Sequence, residues 1–199
     1  LSHNAWVVGE KDIYDIKDFI EKQGKPLLEW DLNINYGIKT GFTEAFIIPE
    51  VVKEQLVNED NKSAEILKPI LRGKDISTWH PNFDKLWLIN SHNGVKSKNI
   101  ERIDVEKDYP AIFNWFLNFK DKLINRQDQG EHWTNLRSCA YIDDFTKPKI
   151  IYREITQKFD FVYDLKGEFY FIDTAWMMIG ENLKYLTCIF NSKLFQYCF

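Results

Sequence analysis

Apolar residues spaced three and four apart open the chain. Ile13, Ile16, Phe19 and Ile20 share one helical face, with Asp12 placed to cap its start and Gly24 to stop it. Leu27 to Trp30 and Leu32 to Tyr36 read as short extended pieces. Glu44 to Ile48 predicts a buried strand ended by Pro49, which can begin a helix carrying Val52 and Leu56. Lys62 to Leu71 has a second helical pattern, interrupted at Pro69, before the turn Arg72 to Asp75. Leu86 to Ile89 is strand-like, and Asn90 to Gly94 is a polar turn. A long helix is predicted from near Asp108, with Pro110 in its first turn and Ile112, Phe113, Phe116, Leu117, Leu123 and Ile124 on its apolar face.

The second half reads mostly as strands. Lys149 to Ile155 is one strand, Phe159 to Tyr163 and Glu168 to Ile172 form a hairpin around Lys166-Gly167, and Trp176 to Ile179 adds another. Leu183, Leu186, Phe190, Leu194 and Tyr197 mark a closing helix. The irregular alternation predicts an α+β fold with a mixed, mostly antiparallel sheet and flanking helices.

Composition refines this picture. The 199 residues suit a single domain over 1–199, and 44% hydrophobic and 16% aromatic content supplies ample core. The absence of an initial Met or signal pattern, and a C-terminus inside an apolar helical pattern, lead us to expect a fragment of a longer protein. Cys139, Cys188 and Cys198 form no C-x-x-C pair, so a reducing cytoplasm is the default compartment and no zinc site is expected. His3, His80, His92 and His132 are scattered, which favours surface or core roles over metal ligation. The net charge of −4 is uneven: residues 1–61 carry 6 basic and 12 acidic side chains, and residues 62–98 carry 7 and 3. Such a basic band makes either a one-sided footprint for an anionic partner or an ordinary solvated face.

The segment Asn35 to Ile48 combines Gly37, Lys39, Thr40 and Gly41, the ingredients of a phosphate cradle. Yet its lysine precedes the second glycine, and the continuation is not the G-x-x-x-x-G-K-[ST] order that nucleotide cradles need. A glycine turn, with Gly37 and Gly41 in conformations barred to larger residues, is the better reading. Asp143, Asp144 and Glu154 lie near Lys158 but lack nuclease spacing, and no nucleophile elbow or H-E-x-x-H helix occurs. Trp87, Trp115 and Trp176 sit in apolar patterns and read as core rather than as sugar-stacking platforms. Trp133, in the polar loop from Arg126 to Arg137, is the tryptophan expected to be exposed.

Several ordered segments resemble the TaqI-like C-terminal specificity domain of restriction–modification enzymes. They are Gly24-Lys25-Pro26-Leu27 with Trp30, Gly37 to Gly41 leading to Ile48, and Leu67 to Ile76. Tyr109-Pro110-Ala111-Ile112, the loop Arg126 to Arg137, Lys147 to Ile151, Asp173-Thr174 and Leu186 to Lys193 complete the pattern over about residues 24–195. The resemblance implies a target recognition domain that binds double-stranded DNA. It further implies a type IIG-like parent whose methyltransferase domain, and in some cases nuclease domain, precede it in the same polypeptide. Such a parent uses S-adenosylmethionine to methylate adenine, and Mg2+ to cut, whereas this fragment holds no catalytic motif and no cofactor of its own.

Within that reading the residue types divide by chemistry. Lys39, Thr40, Arg72, Lys74, Arg126 and Arg137 suit phosphate contacts, with Trp133 beside them, whereas Arg153, Glu154, Gln157 and Lys158 suit base edges. Two alternatives stay open. One is a weak metal-dependent nuclease site built on Asp143, Asp144 and Glu154; the other is a scaffold docking on the methyltransferase or a specificity subunit.

Overall fold

A computed structural model describes residues 11–198; residues 1–10 with His3, residue 199 and the side chains of Lys11 and Ile13 lie outside the described residues. In chain order the elements are α1 (Lys11–Gln23), β1 (Leu32–Tyr36), α2 (Thr43–Phe46), β2 (Ile47–Pro49), α3 (Glu50–Glu59), β3 (Leu67–Leu71), β4 (Leu86–Ile89), α4 (Val105–Asp108), α5 (Pro110–Leu117) and α6 (Lys120–Asn125). There follow β5 (Lys149–Arg153), β6 (Phe161–Asp164), β7 (Tyr170–Phe171), β8 (Ala175–Gly180), α7 (Leu183–Phe190) and α8 (Lys193–Cys198). The class is α+β and the pairing mostly antiparallel, as the sequence predicts, but the strands divide into two sheets. One has the order β1-β8-β5-β6, antiparallel throughout; the other is β2-β4-β3-β7, where only β3 and β7 run parallel.

The first sheet is covered on both faces, which its alternation of side chains makes possible. Ile151, Val162, Met177 and Ile179 face the main core with Phe46, Phe116, Phe145 and Phe171. Ile150, Phe161 and Met178 face the other way, where Leu183, Leu186 and Phe190 of α7 close a smaller core. Each fully buried large side chain contributes about 1.5–3 kcal/mol of transfer free energy, so the phenylalanines anchor the main core.

Local patterns misled in specific places. Residues 62–71 are a 3-10 turn followed by β3, not a helix. Ile66, Leu67, Ile70 and Leu71 are all buried, and a strand buried on both faces yields the same spacing as one helical face. Pro69 is tolerated because pairing with β4 ends there and pairing with β7 begins at Ile70. Leu27–Glu29 is a 3-10 turn rather than extended, and Thr43–Phe46 winds one helical turn before the strand proper.

The long helix is broken into α5 and α6 at Asn118, whose side-chain amide donates to Trp115 O at 3.1 Å and so competes for the helix's own acceptor. The closing helix breaks at Asn191 for a different reason. Its side chain accepts from Phe161 N (3.1 Å) and donates to Phe161 O (2.8 Å), sealing the free edge of β6. The predicted hairpin around Gly167 is divided: β6 pairs with β5 in one sheet, while β7 pairs with β3 in the other. Gly167 still turns the chain with φ +67. Asp164 holds this crossing, accepting from Lys149 Nζ at 2.7 Å and from the backbone amides of Glu168 and Phe169 at 3.1 and 2.9 Å.

Candidate functional site

The two sheets are stitched together where β1 leaves the first and β7 leaves the second. Gly37 N donates to Ala175 O at 3.0 Å, and Ile38 N to Phe171 O at 2.8 Å. Gly37 is needed there for closeness, not for a positive φ: a Cβ would lie 2.0 Å from Ile172 O. Gly41 does need its left-handed conformation, at φ +67. The glycine pair thus forms a sheet junction, as a turn and not as a nucleotide cradle.

Over this junction runs a concave strip of linked cavities. The first, of about 500 Å3, is lined by Arg72, Gly73, Lys74, Arg153, Glu154, Ile155, Ile172 and Thr174. Glu154 links it to a small cavity of about 230 Å3 with Tyr36, Lys39, Asp173 and Trp176. Lys39 and Asp173 carry the strip on to about 430 Å3 beside Thr40, Gly41, Thr43, Glu44 and Asp128. Tyr36 and Lys39 also border about 200 Å3 next to Arg137 and Cys139. Tertiary folding therefore brings together seven of the residues singled out above: Lys39, Thr40, Arg72, Lys74, Arg137, Arg153 and Glu154.

Their states differ. Arg72 is committed, donating through Nε to Asp75 Oδ2 at 2.8 Å and ion-pairing with Asp84. Asp75 is buried, which opposes its ionisation, yet the Arg72 hydrogen bonds win and hold its pKa below the usual value. Asp75 also accepts from Arg72 N at 2.8 Å, so it caps the 3-10 turn Gly73–Asp75, and Gly73 N donates to Thr174 Oγ1 at 2.9 Å. The turn is thereby braced against the β7–β8 connection, leaving Lys74 exposed without an ion pair among the described residues.

Arg153 is half-buried and donates to Ile76 O, with Asp160 3.8 Å away. The segment beyond it is braced as well: Lys158 lies 3.3 Å from Thr78 Oγ1 and 3.5 Å from Asp160. Glu154 and Gln157 are exposed, and their side chains make no hydrogen bond among the described residues. Next to Thr78, Trp79 is 47% exposed at φ +73. A bulky residue there is a genuine backbone outlier.

At the other end, Lys39 Nζ sits 5.8 Å from the Tyr36 ring centroid, and Thr40 and Thr43 hydroxyls meet at 3.4 Å. Arg137 is exposed and pairs with Asp128 at 2.8 Å. Burial pushes the Cys139 thiol up to about 11, so it stays protonated and unreactive near neutrality.

Two of the loop residues take other positions. Arg126 is 7% exposed, stacks 4.5 Å from the Phe46 ring centroid and donates to Asn135 O. Its Nε and Nη1 find no hydrogen-bond partner among the described residues, and burial lowers its pKa to about 10. The polarity of the loop suggested solvent, but Asn93, Ser91 and Asn135 supply interior partners that hold its backbone down. Trp133 is half-buried against Phe113 at 5.8 Å, so Trp79 is the most exposed of the described tryptophans.

Asp143 and Asp144 do not join Glu154. They lie in a 3-10 turn, paired with Lys98 at 2.5 Å and Lys147 at 2.7 Å, and among the described residues no three His, Cys, Asp or Glu side chains are grouped to hold a metal. Nor is any described helix long and apolar enough to cross a membrane. A further cavity of about 430 Å3 lies at the far end of β3. Its aromatic walls are already engaged, Phe83 with Trp87 and Phe169, and Trp87 Nε1 with Glu50 at 2.7 Å.

Ile155, Asp173, Tyr36 and Trp176 line the strip without having been singled out for it. Asp173 lies between two predicted strands and Ile155 is an aliphatic residue among charges. Both signals were present in the sequence, but only the sheet junction places them side by side.

Comparisons with known proteins agree with this architecture. No curated protein matches the chain. Among solved structures, the Type IIL restriction–modification enzyme MmeI, in complex with DNA, superposes with a TM-score of 0.56 at 10% identity. The likeness covers 80% of this chain and 20% of that enzyme, so this chain spans about a fifth of its length; at that identity the likeness speaks for the fold. The model of the TaqI-like C-terminal specificity domain matches residues 68–199. This chain belongs to the TaqI-like C-terminal specificity domain family.

Proposed function

We propose that the chain recognises double-stranded DNA as the specificity domain of a restriction–modification enzyme, with the concave strip as its contact face. One observation carries the reading: the strip presents Lys39, Lys74, Glu154 and Asp173 without ion pairs among the described residues, while the neighbouring Arg72, Arg137 and Arg153 are paired. Ammonium groups at turns suit phosphates and fix register, whereas carboxylates beside them suit the amino groups of cytosine or adenine. On this reading Gln157 and Lys158, which follow Glu154 in the chain but line none of the strip's cavities, contribute secondary contacts. The net charge of −4 works against indiscriminate attraction to DNA.

Adenine methylation with S-adenosylmethionine, and any Mg2+-dependent cleavage, belong on this reading to other domains of the same polypeptide, working in the cytoplasm. A docking role on those domains is compatible with it, and is favoured by the exposed apolar side chains Phe19 on α1, Tyr185 on α7 and Leu194 on α8.

The test is selection of duplexes from a random library by the full-length protein, followed by affinity against salt. Lys39→Ala and Lys74→Ala are each expected to weaken binding across all sequences and reduce the salt slope by about 1. Equal occupancy at about 50 and about 500 mM salt would refute the reading.

A further inference from the structure

The first cavity of the strip has an apolar wall that packing does not explain. Ile155 is 88% exposed two residues beyond β5, yet it shares that cavity with Ile172, Thr174, Lys74 and Glu154. The backbone beneath it is fixed: Glu154 N donates to Thr174 O at 3.1 Å, and Lys158 N donates to Thr156 Oγ1 at 3.1 Å. An aliphatic side chain is therefore held out of the core, on a braced segment, beside a carboxylate and an ammonium that form no ion pair among the described residues.

Each base pair shows a distinct major-groove edge, and that of T·A runs methyl, acceptor O4, donor N6 and acceptor N7. The cavity offers the complement in chemistry. Ile155 and Ile172 suit the methyl, Lys74 can donate to O4, and Glu154 can accept from the adenine amino group. A C·G pair lacks the methyl and turns a donor, the cytosine amino group, toward the lysine. We propose that this cavity reads one T·A pair of the target through the thymine methyl group, with Ile155 as the specificity-determining residue. The inference rests on the DNA-recognition reading above.

The full-length protein is first used to select its preferred duplex, which is then remade with deoxyuridine replacing each thymine in turn. Deoxyuridine keeps O4 and the pairing and removes only the methyl. At one position the uracil duplex is expected to bind about fourfold more weakly, the worth of one buried methyl group. Ile155→Ala is expected to erase that difference, and Ile155→Val, one methylene shorter, to leave part of it. The exposure of Ile155 keeps both variants folded, which an unchanged unfolding midpoint verifies.

A preferred duplex with no methyl-sensitive thymine overturns the inference and leaves the DNA reading standing. So does a duplex without thymine, or an Ile155→Ala variant that weakens every duplex equally while keeping the uracil penalty, as a wedge between base steps would. Absence of any sequence preference in the selection overturns the DNA reading itself, and the inference with it.

Discussion

Asp164 is the residue whose loss tests most directly how the two sheets are held. Its carboxylate accepts from Lys149 Nζ and from two backbone amides, and Lys149, wholly buried, also donates to Phe145 O at 2.7 Å. Asp164→Ala leaves an ammonium without its counter-charge in the interior and two amides without an acceptor. Removing one partner of a buried pair costs about 3–5 kcal/mol, a large share of the roughly 5–15 kcal/mol that stabilises a domain. With a urea m-value of about 2 kcal/mol/M, the midpoint should fall by roughly 2 M.

The comparison that isolates the charge is the double variant Lys149→Met with Asp164→Asn. The single amide oxygen can accept from one of the two backbone amides and no charge remains buried, so about half the loss should return. Urea denaturation followed by tryptophan fluorescence reads both. A loss under about 1 kcal/mol for Asp164→Ala, or a double variant no more stable than the single, would show that the pair is not the clamp described here. Because β5 begins at Lys149 and ends at Arg153 beside Glu154, the clamp also sets where the strip's side chains emerge.

Arg126→Met should leave duplex affinity within about twofold, because the guanidinium is interior and engages Asn135; a fall comparable to Lys74→Ala, measured by fluorescence anisotropy, would return Arg126 to the contact face. His92 supplies a pH test. Burial lowers its pKa below 6.5, and its Nδ1 accepts from Gly94 N at 3.0 Å, which only the neutral ring can do. The unfolded chain then takes up the proton first, so stability present above about pH 6.5 is lost as pH falls through the folded-state pKa. His92→Asn, which keeps an acceptor but does not titrate, should flatten the change in urea midpoint between about pH 7 and about pH 5; an unchanged slope would refute the assignment.

Some of the molecule was fixed by short-range chemistry and could be read directly. Pro110 at a helix start, the strand character of β5 and β8, and the turns at Gly41 and Gly167 all follow from preferences acting within a few residues. The family resemblance, carried by ordered local segments, was legible for the same reason. What the sequence left open depended on partners distant along the chain. Residues 67–71 became a strand because β4 and β7 flank them, and the Gly167 hairpin divided because β3 and β5 claimed its two arms.

The strip obeys the same rule. Lys39, Lys74, Glu154 and Asp173 are more than a hundred residues apart at the extremes, and linked cavities join them where Gly37 lets β1 pass against Ile172. Arg126 carries the same charge as Arg137 eleven residues later, yet one is interior and the other exposed. Residue type sets what a side chain can do; burial, which the rest of the chain decides, sets whether it reaches a partner outside.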